Sequence, residues 1–455
     1  MKKNSLLKTL LIIFGVFVLL TWVIPSGSYN TNYVDKGLDP IGIFDLFKYP
    51  LYSFAIFVQY GMVILTIGIF YGILSKIGAY CKLCENIVKK IKHKKLFLGI
   101  ITLVLILISS LLGNTLTLFL IIPFTYNLIV LLGYNKKTAF ASTIGAILVG
   151  NICSIAGTNI AITNLEVFNL AITKEILTKI ILFIMISFLY VNYVLSHSKL
   201  EKEDTILHGK SSSKQSLLPI SVLLVITFIV TIIGVYSFDK LGFNLFKDLH
   251  QSLMNFEVNN FYVFKNLFKG ILGFGSWDNY SLMVFILVMS IVISWVYGLK
   301  FKDMLDGVKK GLSKTYKPAI YATISGLILV VILNTNSNIV ETINHSILGQ
   351  DFSIIKTSTS AIISSIFYND YVWLIGSGFG ETLRLYDVNI YVVITTLVSG
   401  IHSLIMMLLP TSVVLTSGLV FTEYDYKDWL KYIWKFILIV FFVVLIVSVI
   451  LMKFL

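Results

Sequence analysis

Charge is scarce in this chain. Only 13% of its 455 residues are Asp, Glu, Lys or Arg, and Arg384 is the one arginine. With 57% hydrophobic residues and a mean hydropathy of +0.88, the composition excludes an ordinary soluble domain. Cysteine is scarce too, at three. Cys81-Lys-Leu-Cys84 has the CxxC spacing but no second ligand pair, and Cys153 stands alone. Neither zinc nor redox chemistry is expected from so few partners. No nucleotide-binding loop occurs, so ATP drive would have to come from a partner. Nothing resembles a selectivity filter. An enzyme would need acid, base or metal ligands gathered at one surface. The Ser237–Tyr280 segment, the place for a membrane-embedded transferase, offers only scattered Asp239, Asp248, His250 and Glu257. The chain is therefore read as a non-enzyme, with no resident cofactor or metal.

What is abundant is apolar sequence. Runs of roughly 17–25 residues suit membrane spans: Leu6–Ile24, Phe54–Leu74, Ile180–Leu195, Leu217–Tyr236, Leu282–Leu299, Ala319–Leu333 and Phe436–Met452. The first follows Met-Lys-Lys like a signal peptide, yet no Ala-x-Ala-like site follows. Trp22-Val-Ile-Pro25 reads instead as an interfacial exit from an uncleaved span. The net charge of +13 is explained by lysine clusters beside spans, at Lys76–Lys95, Lys199–Lys214 and Lys300–Lys317. That is the positive-inside signal, which makes those loops cytoplasmic and a nucleic-acid partner unnecessary. The N-terminus then lies inside and the C-terminus outside.

Two stretches half the chain apart are alike. Ser109-Ser110-Leu-Leu-Gly-Asn114-Thr115 is echoed by Ser364-Ser365-Ile-Phe-Tyr-Asn369-Asp370. Each is followed by a second polar break, Gly157-Thr158-Asn159 and Pro410-Thr411-Ser412. Residues 96–132 have lysines at both ends and a polar midpoint. Two full spans and a re-entrant hairpin both satisfy that pattern. Residues 139–172 are too long for one crossing and suit a broken helix. Residues 352–384 and 388–418 repeat the pair in the opposite sense. The chain divides into a first repeat (1–196), a linker, connector span and outer amphipathic segment (197–280), and a second inverted repeat (281–455). The fold class expected is an all-α polytopic membrane protein with inverted repeats. Ile41–Tyr52 is expected to lie on the membrane surface as its own helix, and His197–Gln215 to be a linker.

Helix-breaking polar clusters at membrane depth are costly unless they line a cavity. Freed carbonyls and Asn, Thr and Ser oxygens suit Na⁺, while helix N-termini attract carboxylates. The candidate substrate and ion site is thus Asn114, Thr115, Gly157, Thr158, Asn159, Asn369, Asp370, Pro410, Thr411 and Ser412. Pro410 is expected to start a helix. Asp370 is the sharpest single residue, and with His402 it forms a candidate proton relay. Glu166 and Asn169 are expected to face outer water, and Arg384 to pair with Glu381 or with headgroups. No lysine or arginine is expected in the core, which tilts the reading towards zwitterionic or cationic substrates.

A resemblance covers nearly the whole length. Leu20-Thr-Trp-Val-Ile-Pro-Ser-Gly-Ser-Tyr29, Pro40-Ile-Gly-Ile-Phe-Asp45, Gly68-Ile-Phe-Tyr-Gly72, Lys76-Ile-Gly-Ala79 and Gly133-Tyr-Asn-Lys-Lys-Thr138 resemble YfcC-type (arginine/ornithine antiporter-like) carriers of the ion transporter superfamily. Leu409-Pro-Thr-Ser412 and Tyr426-Lys-Asp-Trp-Leu430 continue it. The AbgT and dicarboxylate/sodium symporter families are more distantly similar. The resemblance implies an elevator-like carrier in the plasma membrane, working as a homodimer. The function expected is secondary active transport of a small amino-acid-like or carboxylate metabolite. It would run by exchange, including basic amino acid antiport, or with Na⁺ or H⁺ as the coupling ion; dicarboxylate or small-peptide transport is the alternative. The family's second hairpin carries a Ser/Gly-rich tip where this chain has Phe367-Tyr368-Asn369-Asp370, so substrate identity does not transfer across that change.

Overall fold

The computed structural model describes residues 5–30, 32–112, 115–212, 214–335 and 338–454. Among them, eight helices are long and apolar enough to cross a membrane. The protein is an all-α polytopic membrane protein, and its two small antiparallel ribbons lie between the helices. Two series of elements follow one another in the same order. The first runs from Asp45–Leu74 through Gly78–Lys90, the pair Lys94–Leu111 and Ile122–Leu131, the pair Ala146–Cys153 and Asn159–Phe168, to Ile172–His197. The second runs from Phe301–Ile324 with Leu327–Asn334 through Ile339–Ile347 and Ile354–Phe367. Tyr371–Ile375 with Gly378–Leu383, Tyr391–Met406, Val413–Thr422 and Tyr426–Phe454 complete it.

The breaks occur where the polar residues predicted them. Helix Lys94–Leu111 stops at an extended Leu112, and the chain returns as a 3₁₀ turn, Thr115–Leu120. Helix Ile354–Phe367 stops at an extended Tyr368, and Asp370 caps the next short helix. Neither 96–132 nor 352–384 is an uninterrupted helix. The first broken helix ends at Cys153 and restarts after Thr158. Gly157 sits at φ +68°, and a Cβ there would meet the Tyr236 ring at 2.6 Å and the Leu111 carbonyl oxygen at 2.9 Å. Only glycine relieves both constraints. The second broken helix ends at Met406, and its loose carbonyls are claimed by aromatic donors. Trp429 Nε1 donates to Met407 O at 2.8 Å, and Tyr426 Oη donates to Leu408 O at 2.6 Å. A helix end in an apolar setting needs such partners.

The most intimate contact joins Asp45–Leu74 to Phe301–Ile324. A Cβ on Gly68 would fall 2.1 Å from Thr315 Oγ1, and one on Gly72 would fall 2.2 Å from the Gly307 carbonyl oxygen. Small residues let the two backbones touch, which is how helices associate where no hydrophobic force separates them from lipid.

Several expectations need correction. Ile41–Tyr52 is not a separate surface helix. An antiparallel ribbon, Ser26–Asn30 with Asn32–Gly37, fills the first loop, and the helix beginning at Asp45 continues without interruption to Leu74. The lysine-rich stretch before Ala319 is itself helical from Phe301, because charges on one face of a helix leave the other free to pack. The His197–Gln215 linker is anchored rather than loose. Asn127 exchanges two hydrogen bonds with the Ile206 backbone, at 2.7 and 2.8 Å, and Gln215 accepts from Ala79 N at 2.9 Å. Ser237–Tyr280 carries the expected amphipathic helix, Leu245–Met254, and adds a small ribbon, Glu257–Val258 with Phe261–Tyr262.

Candidate functional site

The polar breaks of both series open onto one cavity of about 340 Å³. Of the residues singled out in the sequence, Thr115, Thr158, Asn159, Asn369, Asp370, Ser412 and His402 line it. Asn114 lies outside the described residues. Gly157, Pro410 and Thr411 do not line it. Pro410 does not start a helix; Ser412 caps the helix Val413–Thr422, and the Pro410 carbonyl accepts from Thr416 Oγ1 at 2.7 Å.

Capping positions the site. Thr158 Oγ1 accepts from Ala161 N at 3.0 Å, and Ser412 Oγ accepts from Leu415 N at 3.4 Å. Each cap uses one donor of a first turn. The first-turn N–H groups at Asn159 and Ile160, and at Val413 and Val414, have no partner within their helices. All four residues line the cavity. Two ten-residue helices, one from each series, therefore bring their partially positive ends to one space.

Asn369 joins the second hairpin to the second break: its Nδ2 donates to Thr411 O at 3.2 Å and to Ser325 O at 3.4 Å. Asn369 Oδ1 and Thr411 Oγ1 are buried without a hydrogen-bond partner among the described residues. His402 does not contact Asp370 as a relay would. Its Nδ1 meets Ser365 Oγ at 3.2 Å, and its ring stands edge-on to Tyr371 with centroids 5.6 Å apart.

Sequence reasoning missed part of the wall. Gln59 and Tyr60 come from the helix Asp45–Leu74, Asn151 from Ala146–Cys153, and Asp278 and Asn279 from the start of Asn279–Val296. Asp278 caps that helix, accepting from Ser281 N at 2.8 Å. An Asp-Asn pair before an apolar run was the available signal. Asp278 and Asp370 are carboxylates, and the lining contains neither lysine nor arginine. The expectation of a core without lysine nevertheless fails: Lys179 is fully buried beside the cavity wall, not in it. It lies just before the run read as a span, where it passed for an end residue.

The peripheral residues also have places. Arg384 pairs with Glu381, whose hydrogen bond raises the guanidinium pKa further. Glu166 accepts from Lys240 at 2.6 Å, and Asn169 ends the helix Asn159–Phe168 in the left-handed conformation. Among the described residues no three His, Cys, Asp or Glu gather as a metal site, and Cys81, Cys84 and Cys153 are free and buried.

No curated protein matches the sequence. Among solved structures, the YdaH transporter of Alcanivorax borkumensis, described as having an unusual topology, aligns with 99% of this chain and 98% of its own at 11% identity and a TM-score of 0.41. Residues 37–453 match the family model of the C4-dicarboxylate anaerobic carrier, DcuC. The chain is a membrane carrier that belongs to the DcuC family.

Proposed function

We propose that this protein is a secondary carrier moving C4-dicarboxylates across the plasma membrane, with its cavity as the substrate site. One observation carries the reading: two helix N-termini, at Asn159 and Val413, open onto the same cavity. A dicarboxylate has two charged ends, and a helix N-terminus holds a carboxylate without a basic side chain. That removes the objection raised by the missing lysine and arginine. The volume of about 340 Å³ suits a small metabolite.

The repeated order of elements supports two inverted repeats, the lysine clusters a cytoplasmic lysine-rich face, and the interrupted helices alternating access by movement of the hairpins and broken helices. The unpartnered Asn369 Oδ1 and Thr411 Oγ1, near the Ser325 and Thr411 carbonyls, are donors of the kind Na⁺ takes. A second reading, amino-acid exchange, is favoured by Asp278 and Asp370, which would hold an ammonium, and by the YfcC-like motifs.

Exchange in proteoliposomes decides between them. Vesicles loaded with unlabelled succinate should take up labelled succinate saturably, with competition by fumarate and malate but not by arginine or ornithine. Competition by arginine or ornithine alone would establish the second reading in place of the first.

A further inference from the structure

The cavity has a charged backing that the substrate reading leaves unused. Lys179, two turns into the helix Ile172–His197, is fully buried, and its Nζ donates to Ser399 Oγ at 2.8 Å. Glu175, one turn earlier on the same face, is 2% exposed. Among the described residues no carboxylate oxygen lies within 4.0 Å of the lysine nitrogen.

Both groups are connected to the cavity. Glu175 Oε1 accepts from Asn164 Nδ2 at 3.3 Å, and Asn164 Oδ1 accepts from Tyr371 Oη at 2.7 Å; Tyr371 lines the cavity. Ser399, the partner of Lys179, lies one turn before His402 and Ser403, which also line it. Among the described residues, the titratable groups within electrostatic reach of Lys179 are Glu175 on its own helix and Cys153 at the end of Ala146–Cys153. Tyr371 lies within reach of Glu175. His402 faces Ser365 and Tyr371.

An ammonium stripped of water is expensive, and one hydroxyl replaces little of its hydration. Glu175 compensates only in part, since it is not in contact. The partner hydroxyl is suited to both states of the lysine: Ser399 Oγ accepts from an ammonium, and the same hydroxyl donates to a neutral amine. A dianion entering the cavity would favour the ammonium, and the ammonium would in turn favour the dianion.

We propose that Lys179 is the proton-coupling residue of this carrier, protonated while a dicarboxylate occupies the cavity and neutral when the empty carrier returns. The amine lone pair takes one proton from water on the side where substrate enters, going from neutral to +1, and gives it back to water where substrate leaves. The proposal rests on the dicarboxylate reading above.

Proton uptake on binding tests it. Adding succinate to the purified carrier in weakly buffered, mildly alkaline solution, where free succinate is a dianion, should remove about one proton per bound succinate. Lys179→Arg, which stays charged, should remove none. In proteoliposomes, uptake driven by a pH gradient, relative to succinate exchange, should fall at least about tenfold in Lys179→Met. Exchange by the wild-type protein without proton uptake, or a pH-gradient response retained in Lys179→Met, overturns the proposal alone. Absence of succinate exchange in the wild-type protein overturns the substrate reading and the proposal with it. If Lys179→Met does not fold, the wild-type proton count decides.

Discussion

At the scale of single residues, the site is built from caps and freed backbone. Asn369 ties the second hairpin tip to the second break through two carbonyls. Asn369→Ala should cut labelled-succinate uptake at least about tenfold, because a lost pair of buried bonds lets the tip move away from its partner. Uptake within about twofold of wild type would place the binding site elsewhere. Thr158→Ala and Ser412→Ala each remove a cap and should cost about 1 kcal/mol of stability, read as a lowered thermal midpoint in detergent. These residues were legible in the sequence because small polar groups interrupt apolar runs. Tyr60 and Asn151 were not, since an aromatic or an amide within a helical run announces nothing until the fold turns it inward. Lys179 was overlooked for a related reason: at the edge of a hydrophobic window it looks like a span terminus, and only packing against Ser399 shows otherwise.

At the scale of elements, close helix packing and one ion pair invite tests. Gly68→Leu would force a side chain into Thr315 and separate the helices Asp45–Leu74 and Phe301–Ile324. A loss of folded, monodisperse protein is expected, whereas Gly15→Leu, with open space around it, should be tolerated. Size-exclusion profiles of the two variants check this. At the end of Val413–Thr422, the hydrogen bond from Lys314 holds the Glu423 carboxyl below its ordinary 4.5. A depressed carboxylate stabilises the fold above its unfolded pKa, and that contribution disappears as pH falls through the folded value. The difference in thermal midpoint between wild type and Glu423→Gln should therefore hold from neutral pH down to about 4.5 and shrink below it. A difference that stays unchanged below about 4.5 would mean the ionised pair contributes nothing. Because Glu423 is largely exposed, the effect should be small and weakened by salt.

At the scale of the whole molecule, the sequence carried the order of elements better than their lengths. Polar breaks in the sequence fall where helices stop and restart, after Leu111, Cys153, Phe367 and Met406. The lysines of residues 302–317, read as loop, belong to a helix that packs along Asp45–Leu74. The linker looked free by composition, yet backbone bonds to Asn127 fix it. Neither fact is local, and both depend on partners hundreds or tens of residues away. What unites the fold and the family is a single space served by both series. The most direct measurement is substrate protection at its wall. Cys81, Cys84 and Cys153 can be replaced by serine or alanine, and Val413→Cys then places one thiol at the cavity edge. Maleimide labelling of that thiol should slow at least about fivefold when succinate saturates the carrier, and arginine should have no effect. A labelling rate indifferent to succinate, in protein that exchanges succinate, would show that the dicarboxylate binds elsewhere.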